Sequence, residues 1–149
     1  MRLAGCVLCE SAGGPTVFQG AKFRVIRADE AGFPAFYRLV WSEHVAEFSD
    51  LGADDRLLCM QAVVLVEQAL REQLRPTKIN LATLGNVVPH LHWHVIARFD
   101  WDSHFPAPVW AQAVRQSPPE PLAALRGRLA ALDQDIGRRL GGLAAAAAL

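Results

Sequence analysis

Residues 89–96 read Pro89-His90-Leu91-His92-Trp93-His94-Val95-Ile96. The histidines alternate with large apolar residues. In a β-strand, side chains two positions apart project from the same face of the sheet, and the residues between them project from the other. We therefore predict a strand that carries three imidazoles on one face and packs Leu91, Trp93 and Val95 against the core.

Three imidazoles in this arrangement support two kinds of chemistry. Imidazoles on a strand can bind a metal, and three of them can form a catalytic zinc site with an open coordination position. Alternatively, one neutral imidazole attacks a phosphate ester or anhydride while its neighbours donate hydrogen bonds to the non-bridging oxygens. A purely structural role is a third interpretation, but three of the five histidines of the chain in strict alternation argue against it.

The sequence on either side predicts strands and helices that are segregated along the chain. Apolar and β-branched runs bounded by turn residues predict strands over residues 16–19, 22–28, 36–41, 78–84 and 91–99. Longer apolar patterns predict helices over residues 51–74 and 120–140. Segregated elements of this kind favour an α+β fold. The low-complexity residues 141–149 are expected to pack weakly.

Composition restricts the class of partner. Fifteen basic residues balance fifteen acidic ones over 149 residues, whereas nucleic-acid and membrane binding normally require a basic excess. No apolar run reaches the ~20 residues that span a bilayer, and the N-terminus lacks the apolar region of a secretory signal. We expect a cytoplasmic protein with neither nucleic acid nor membrane as a partner.

Cys6 and Cys9 form a C-x-x-C pair near the N-terminus. In a reducing compartment, such a pair is either half of a metal site or a redox pair. The spacing suits tetrahedral zinc, and no thioredoxin-like βαβ pattern surrounds it, so zinc is favoured. The third cysteine, Cys59, falls within the first long helix and is expected to be a small core residue.

The histidine alternation resembles the signature of the histidine-triad (HIT) superfamily of nucleotide hydrolases and transferases. The context is similar too: an N-terminal C-x-x-C, a strand followed by His44, a helix, a strand and a Gly-Asn turn before the triad. The resemblance covers about residues 3–110, and bacterial HIT proteins related to diadenosine tetraphosphate hydrolases look closest. It implies an antiparallel sheet of about five strands with two main helices, and a homodimer. We expect a HIT-like domain over residues 1–115 and a helical extension over residues 116–149.

The resemblance also implies a reaction. His92 would be the nucleophile that forms a covalent nucleotidyl-histidine, and His94 would bind the α-phosphate. The substrate would be a dinucleoside polyphosphate or a nucleoside phosphoramidate, and the product a nucleoside monophosphate. Two alternatives remain open: a nucleotide-binding module with little turnover, and a metalloenzyme that uses the triad as ligands.

Substrate-binding and metal-binding residues follow from the same resemblance. Asn80 and Asn86 match positions that contact the nucleotide, and Asp29 matches the acidic residue that holds the ribose. Phe23 and Val25 are expected to border the base. In zinc-bearing bacterial relatives the C-x-x-C is completed by two histidines, which implies a closed structural zinc site of Cys6, Cys9, His44 and His90. The chain departs from the family pattern at two positions, where Phe36 replaces a histidine and Ala97 a proline.

Overall fold

One antiparallel sheet of five strands organises the molecule. The computed structural model describes residues 2–28 and 30–146. The strands are β1 (Thr16–Gln19), β2 (Phe23–Arg27), β3 (Phe36–Trp41), β4 (Lys78–Ala82) and β5 (His92–Arg98). Their order across the sheet is β1-β2-β3-β5-β4. The helices are the short α1 (Val7–Glu10) and the long α2 (Ala53–Leu74) and α3 (Pro119–Ala146). The α+β prediction, with about five strands and two main helices, is confirmed.

The two faces of the sheet carry different kinds of side chain. Along β5, Val95 and Ala97 face α2 and α3 and join the main hydrophobic core, whereas His92 and His94 lie on the opposite face because side chains alternate. The helices bury apolar residues against the first face, among them Val63, Val66, Leu132, Ile136 and Leu140. The second face is therefore left for the candidate site.

Helix α2 has well-defined ends. Asp54 and Asp55 lie in its first turn, where negative charge interacts favourably with the helix dipole. It ends at Leu74, before Arg75 adopts a left-handed conformation with φ of 49°. Cys59 is fully buried on the core side of this helix, and burial raises its pKa to about 12. The interpretation of Cys59 as a core residue is confirmed.

Helix α3 is longer than the sequence pattern predicts. It continues past residue 140 through Gly141 and Gly142 to Ala146, and Leu143 packs partly against the core. The helix therefore ends six residues later than predicted, because alanine is the strongest helix former. Residues 141, 142, 145 and 146 are exposed and only residues 143 and 144 are partly buried, which agrees with the expected weak packing. Residues 147–149 lie outside the described part of the chain. Neither long helix within residues 2–28 and 30–146 has the apolar length that a bilayer crossing requires.

Polar contacts fix α3 to the sheet. The Tyr37 hydroxyl donates to Asp133 across 2.6 Å, and the same carboxylate forms an ion pair with Arg27 at 3.2 Å. Buried Asp135 on α3 accepts hydrogen bonds from Gln73 of α2 and from Arg139. Helix α3 is thus bound to β2, β3 and α2, and its leucines complete the core.

Candidate active site and metal centre

Two of the three alternating histidines lie side by side on β5. His92 and His94 face the same side of the sheet, and their ring centroids are 4.8 Å apart with the planes nearly perpendicular. Both are largely buried, with 9% and 5% of their surface exposed. His90 differs from the prediction because β5 begins at His92. The main chain of Leu91 is bonded instead to Val45 and Trp41, so His90 lies in the segment that enters the strand.

A hydrogen bond fixes the tautomer of His92. Its Nδ1–H donates to the His90 carbonyl oxygen across 2.6 Å. A carbonyl oxygen only accepts, and a neutral imidazole carries one proton, so the lone pair of His92 lies on Nε2. The ring therefore has the tautomeric form that an imidazole nucleophile requires.

The surroundings keep both imidazoles neutral. Burial lowers the pKa of His92, the hydrogen bond to His90 opposes this change, and the Arg38 guanidinium lowers it further. For His94, burial, the positive charge that His92 carries when protonated, and the Arg38 guanidinium lower the pKa to about 3. Neutral imidazoles are the reactive form for attack on phosphorus and can still donate one N–H.

Cys6, Cys9, His44 and His90 form a second cluster behind the strand entry. One ligand atom from each lies within 4.8 Å of the other three. The Nδ1 of His90 is 3.4 Å from both cysteine sulfurs, and the Nδ1 of His44 is 3.5 Å from the Cys9 sulfur. This cluster can hold a metal ion.

The chemistry of the cluster fits a metal better than it fits hydrogen bonds. His90 Nε2–H donates to the Trp41 carbonyl oxygen across 2.7 Å, so its Nδ1 carries a lone pair that faces both sulfurs. One lone pair cannot accept hydrogen bonds from two thiols. A tetrahedral zinc ion with these ligands would separate each sulfur from each nitrogen by about 3.5 Å. Donation of the other ring N–H to a carbonyl is also typical of metal-bound histidine.

Comparison with known proteins decides the family. The HIT domain model matches residues 14–101, more than half of the chain. The chain belongs to the HIT family. A similar solved structure is a histidine triad protein from Bradyrhizobium japonicum, with 29% identity and a TM-score of 0.66 over 82% of this chain and 91% of that one. Another is a histidine triad protein from Sinorhizobium meliloti 1021, with 27% identity and a TM-score of 0.64 over 80% of this chain and 90% of that one. No curated protein matches the chain at a significant level.

More distant HIT structures show the fold alone. A histidine triad protein from Marinobacter aquaeolei VT8 has 24% identity and a TM-score of 0.66, over 85% of this chain and 93% of that one. The expected family and fold are therefore confirmed, whereas a subtype related to diadenosine tetraphosphate hydrolases remains a hypothesis.

The departure from the HIT pattern at Phe36 has a structural consequence. The Phe36 ring packs edge-on against His94 with 5.4 Å between centroids. The His94 Nδ1 is buried and finds no hydrogen-bond partner among the residues that the structure describes. A histidine at position 36 would place a polar ring beside His94, whereas Phe36 supports His94 by packing alone.

Arg38 is a site residue that the sequence analysis missed. It is paired in register with His94 across β3 and β5, so both side chains project from the same face. Its guanidinium bonds to Glu30 across 2.6 Å and lies over the Phe36 ring. The signal was present in the sequence, because an arginine interrupts the apolar run of residues 36–41 on the face that the histidines share.

The proposed substrate residues have different surroundings. Asn80 lies on the histidine face, opposite Ile96 in register, and its Oδ1 accepts from Arg98 across 2.8 Å. Asn86 is exposed in the loop between β4 and β5. Asp29 lies outside the described residues.

The sheet also shows on which face Phe23, Val25 and Trp93 lie. Phe23 and Val25 are buried in the main core, on the helix side. The prediction that they border the base is wrong, because strand alternation turns them away from the histidines. Trp93, in contrast, packs against Phe48 on the helix side, as its position between His92 and His94 predicts.

Proposed function

We propose that this HIT protein cleaves a nucleotidyl P–O–P or P–N bond through a covalent intermediate on His92. The supporting observation is the hydrogen bond from His92 Nδ1 to the His90 carbonyl, which directs the lone pair to Nε2. Membership of the HIT family supports a role in nucleotide binding or nucleotide transfer. The intermediate and the substrate class, a dinucleoside polyphosphate or a nucleoside phosphoramidate, are part of the proposal.

The reaction has two balanced steps. In the first, His92 Nε2 forms a bond to the α-phosphorus while the bond from phosphorus to the leaving oxygen or nitrogen breaks, and the leaving group takes up a proton from solvent. In the second, water attacks the same phosphorus and releases one proton to solvent, the N–P bond breaks with its electron pair returning to Nε2, and a nucleoside monophosphate leaves. The imidazole returns to its neutral form, with Nδ1–H still bonded to His90.

His94 and Arg38 stabilise the phosphoryl oxygens. His94 lies beside His92 and is neutral, so its single N–H donates to a non-bridging oxygen. The Arg38 guanidinium supplies positive charge on the same face, and guanidinium groups form strong paired hydrogen bonds with phosphate. Donors that are already in place need little rearrangement when charge develops on the phosphate.

Asn80, Asn86 and Asp29 complete the proposed nucleotide site. Arg98 occupies the carbonyl oxygen of the Asn80 side chain, which orients the amide and leaves its NH₂ group as the donor end. Asn86 lies in the loop that enters the triad and would contact the phosphate. Asp29 would accept hydrogen bonds from the ribose hydroxyls.

The Cys6, Cys9, His44 and His90 cluster is proposed as a structural zinc site. A complete set of four protein ligands has no open coordination position, so zinc there would supply folding energy rather than chemistry. The ligand role also keeps both ring nitrogens of His90 occupied, which argues against a three-imidazole metal site with His92 and His94. A cytoplasmic location belongs to this proposal, because a reducing compartment keeps both thiols available.

A homodimer through β4 and α2 is a further part of the proposal. Strand β4 lies at one edge of the sheet, and Leu81 on it is exposed. Glu67 of α2 borders the same groove as Leu81, and exposed Val64 lies one turn before Glu67 on that helix. Exposed apolar side chains thus lie on both the edge strand and the neighbouring helix, and a symmetric interface between two copies would bury them. Light scattering of Val64→Asp and Leu81→Asp would show monomers if the assignment is right.

One specific observation favours the alternative of a nucleotide-binding module with little turnover. The Phe36 ring packs against His94, whose Nδ1 has no hydrogen-bond partner among the described residues. Intact-protein mass spectrometry during turnover of an adenosine phosphoramidate separates the two functions. An adenylyl adduct on the wild type that is missing from His92→Ala supports the enzyme, whereas tight binding of adenosine monophosphate without adduct or product supports the binding module.

A further inference from the structure

The indole of Trp110 lies beside the proposed phosphate-binding histidine. The ring centroids of Trp110 and His94 are 5.3 Å apart, and the planes are inclined by 65°. We infer that Trp110 is a specificity-determining residue, whose exposed ring stacks on an aromatic group of the substrate adjoining the phosphoryl group. The inference rests on the proposed function and extends it to a residue beyond the part of the chain that the HIT domain model matches, residues 14–101.

The segment that carries Trp110 is fixed to the sheet. At the end of β5, buried Arg98 forms two hydrogen bonds with Asp102 and a third with the Ala107 carbonyl oxygen. Arg115 donates to the carbonyl oxygens of Asp102 and Phe105 at 2.9 and 2.8 Å. These contacts hold an irregular segment over the histidine face. A platform that is already ordered loses little conformational entropy when a ligand binds.

Core packing does not account for the position of Trp110. Its neighbour Val109 packs on the small cluster of Ala28, Phe33, Phe36 and Ile96, whereas 51% of the Trp110 surface is exposed. The buried His94 Nδ1 beside it has no hydrogen-bond partner among the described residues. An open aromatic ring next to a buried polar group is the usual composition of a ligand site.

The ligand chemistry follows from the ring. Indole faces stack on planar heterocycles, and removing such a stack weakens binding of a base roughly tenfold to a hundredfold. The aromatic group has two sources: the base of the transferred nucleotide, or an aromatic leaving group on the phosphorus. Both place a planar ring one group away from the phosphate that His94 binds.

Binding measurements test whether Trp110 stacks on the base of the transferred nucleotide. Isothermal titration of adenosine monophosphate and of ribose 5-phosphate, which lacks the base, is compared in the wild type, Trp110→Leu and Trp110→Phe. If the base stacks, Trp110→Leu weakens adenosine monophosphate by about tenfold or more and leaves ribose 5-phosphate unchanged, while Trp110→Phe retains much of the preference. Trp101→Leu is the matched control, since Trp101 stacks on Phe99 in the same segment.

Kinetic measurements test whether Trp110 stacks on an aromatic leaving group. The ratio of kcat/KM for adenosine phosphoramidates of tryptamine and of butylamine reports a stack on the leaving group. A ratio that falls about tenfold in Trp110→Leu, but not in Trp101→Leu, assigns the ring to the leaving group. Melting temperatures confirm that the variants are folded, and Trp110→Phe supplies the conservative case.

The outcomes distinguish a failure of the inference about Trp110 from a failure of the proposed function. A change in either preference supports the inference and identifies the source of the ring. If the wild type binds and cleaves these compounds while both preferences survive in Trp110→Leu, the inference is overturned and the proposed function stands. If the wild type neither binds adenosine monophosphate nor cleaves the phosphoramidates, both are wrong.

Discussion

The Nδ1 of His92 lies 2.6 Å from the carbonyl oxygen of His90, and this one bond joins the proposed nucleophile to the proposed metal centre. The imidazole of His90 faces the sulfurs of Cys6 and Cys9 while its main chain orients His92. Whatever holds the His90 ring in place therefore also holds the nucleophile, and a misplacement of ~1 Å can cost about a hundredfold in rate.

Replacing His92 by alanine should abolish turnover and preserve nucleotide binding. Loss of a nucleophile typically lowers kcat by several orders of magnitude, while the fold does not depend on this ring. Steady-state hydrolysis and titration with adenosine monophosphate check both parts. The control is His104→Ala, because His104 lies in the segment after β5, where its ring packs against Phe33. A variant that keeps more than about a tenth of the wild-type rate, a loss under ~1.4 kcal/mol, would rule out the covalent route.

Cys6→Ser, Cys9→Ser and His44→Ala should each lose zinc and melt at a lower temperature than the wild type. The reason is that metal binding at a closed site contributes folding energy directly. All three should retain measurable hydrolysis because His92 and His94 are not ligands. Bound zinc per chain, melting temperature and kcat are the measurements.

The matched control for the metal centre is Cys59→Ala, which removes a core thiol and should keep one zinc per chain. If the three ligand variants also kept one zinc each, the ligand set would be wrong. If zinc disappeared without any change in melting temperature or rate, the coupling between the metal centre and the nucleophile would be absent.

Arg38→Gln should lower kcat/KM by about tenfold to a hundredfold, because a hydrogen bond between charged groups contributes about 1.5–3 kcal/mol. Arg38→Lys should recover only part of the loss, since an ammonium cannot form the paired bonds of a guanidinium. Exposed Arg128 on α3 is the control, and Arg128→Gln should behave like the wild type. Equal activity of Arg38→Gln and Arg128→Gln would remove Arg38 from the site.

Acid should destabilise the protein through His94. Its pKa is lowered to about 3 by burial and by the charges of His92 and Arg38, whereas in the unfolded chain it is near the ordinary value of about 6.5. Between these values the unfolded state binds the extra proton, so the free energy of unfolding falls as the pH decreases, by up to about 1.4 kcal/mol per pH unit. Urea unfolding of the wild type and His94→Gln at pH 7.5, 6 and 5 isolates this part. Parallel losses in both proteins would contradict it.

Asp102→Asn should destabilise the protein by about 3–5 kcal/mol, because it leaves the Arg98 guanidinium buried without its counter-charge. Burial alone would raise the pKa of Asp102, yet Arg98 and the backbone N–H groups of His104 and Phe99 hold it below its ordinary value. Urea unfolding measures the loss. The double variant Arg98→Met with Asp102→Leu should lose less than the sum of the single ones, and strict additivity would count against the pair.

Much of the fold follows from local patterns that are readable in the sequence. Alternation along β5 predicts which face carries His92 and His94, because side-chain direction in a strand depends on neighbouring residues alone. The long α2 is likewise predicted from its apolar pattern. The end of α3 is predicted too early, because Gly141 and Gly142 indicate a helix end, whereas the alanines that follow continue the helix to Ala146.

The candidate site was less predictable from residues alone. His90 and Cys6 are 84 positions apart, so their proximity came from the family resemblance rather than from spacing. Trp110 and Asp102, the partner of Arg98, are not predicted because the segment after β5 has no periodicity. Their positions depend on tertiary contacts that single-sequence patterns do not encode.

The two edge strands of the sheet differ in how readily another strand can pair with them. Strand β1 is four residues long and carries an irregularity between Thr16 and Phe18, and α3 approaches it where Gly137 faces the Val17 carbonyl. Short, bulged and partly covered strands resist the addition of another chain. Strand β4 is straight in register with β5 and exposes Leu81. A second copy that joins at β4 consumes the receptive edge of both copies, so strand addition ends with a pair instead of propagating into a fibre.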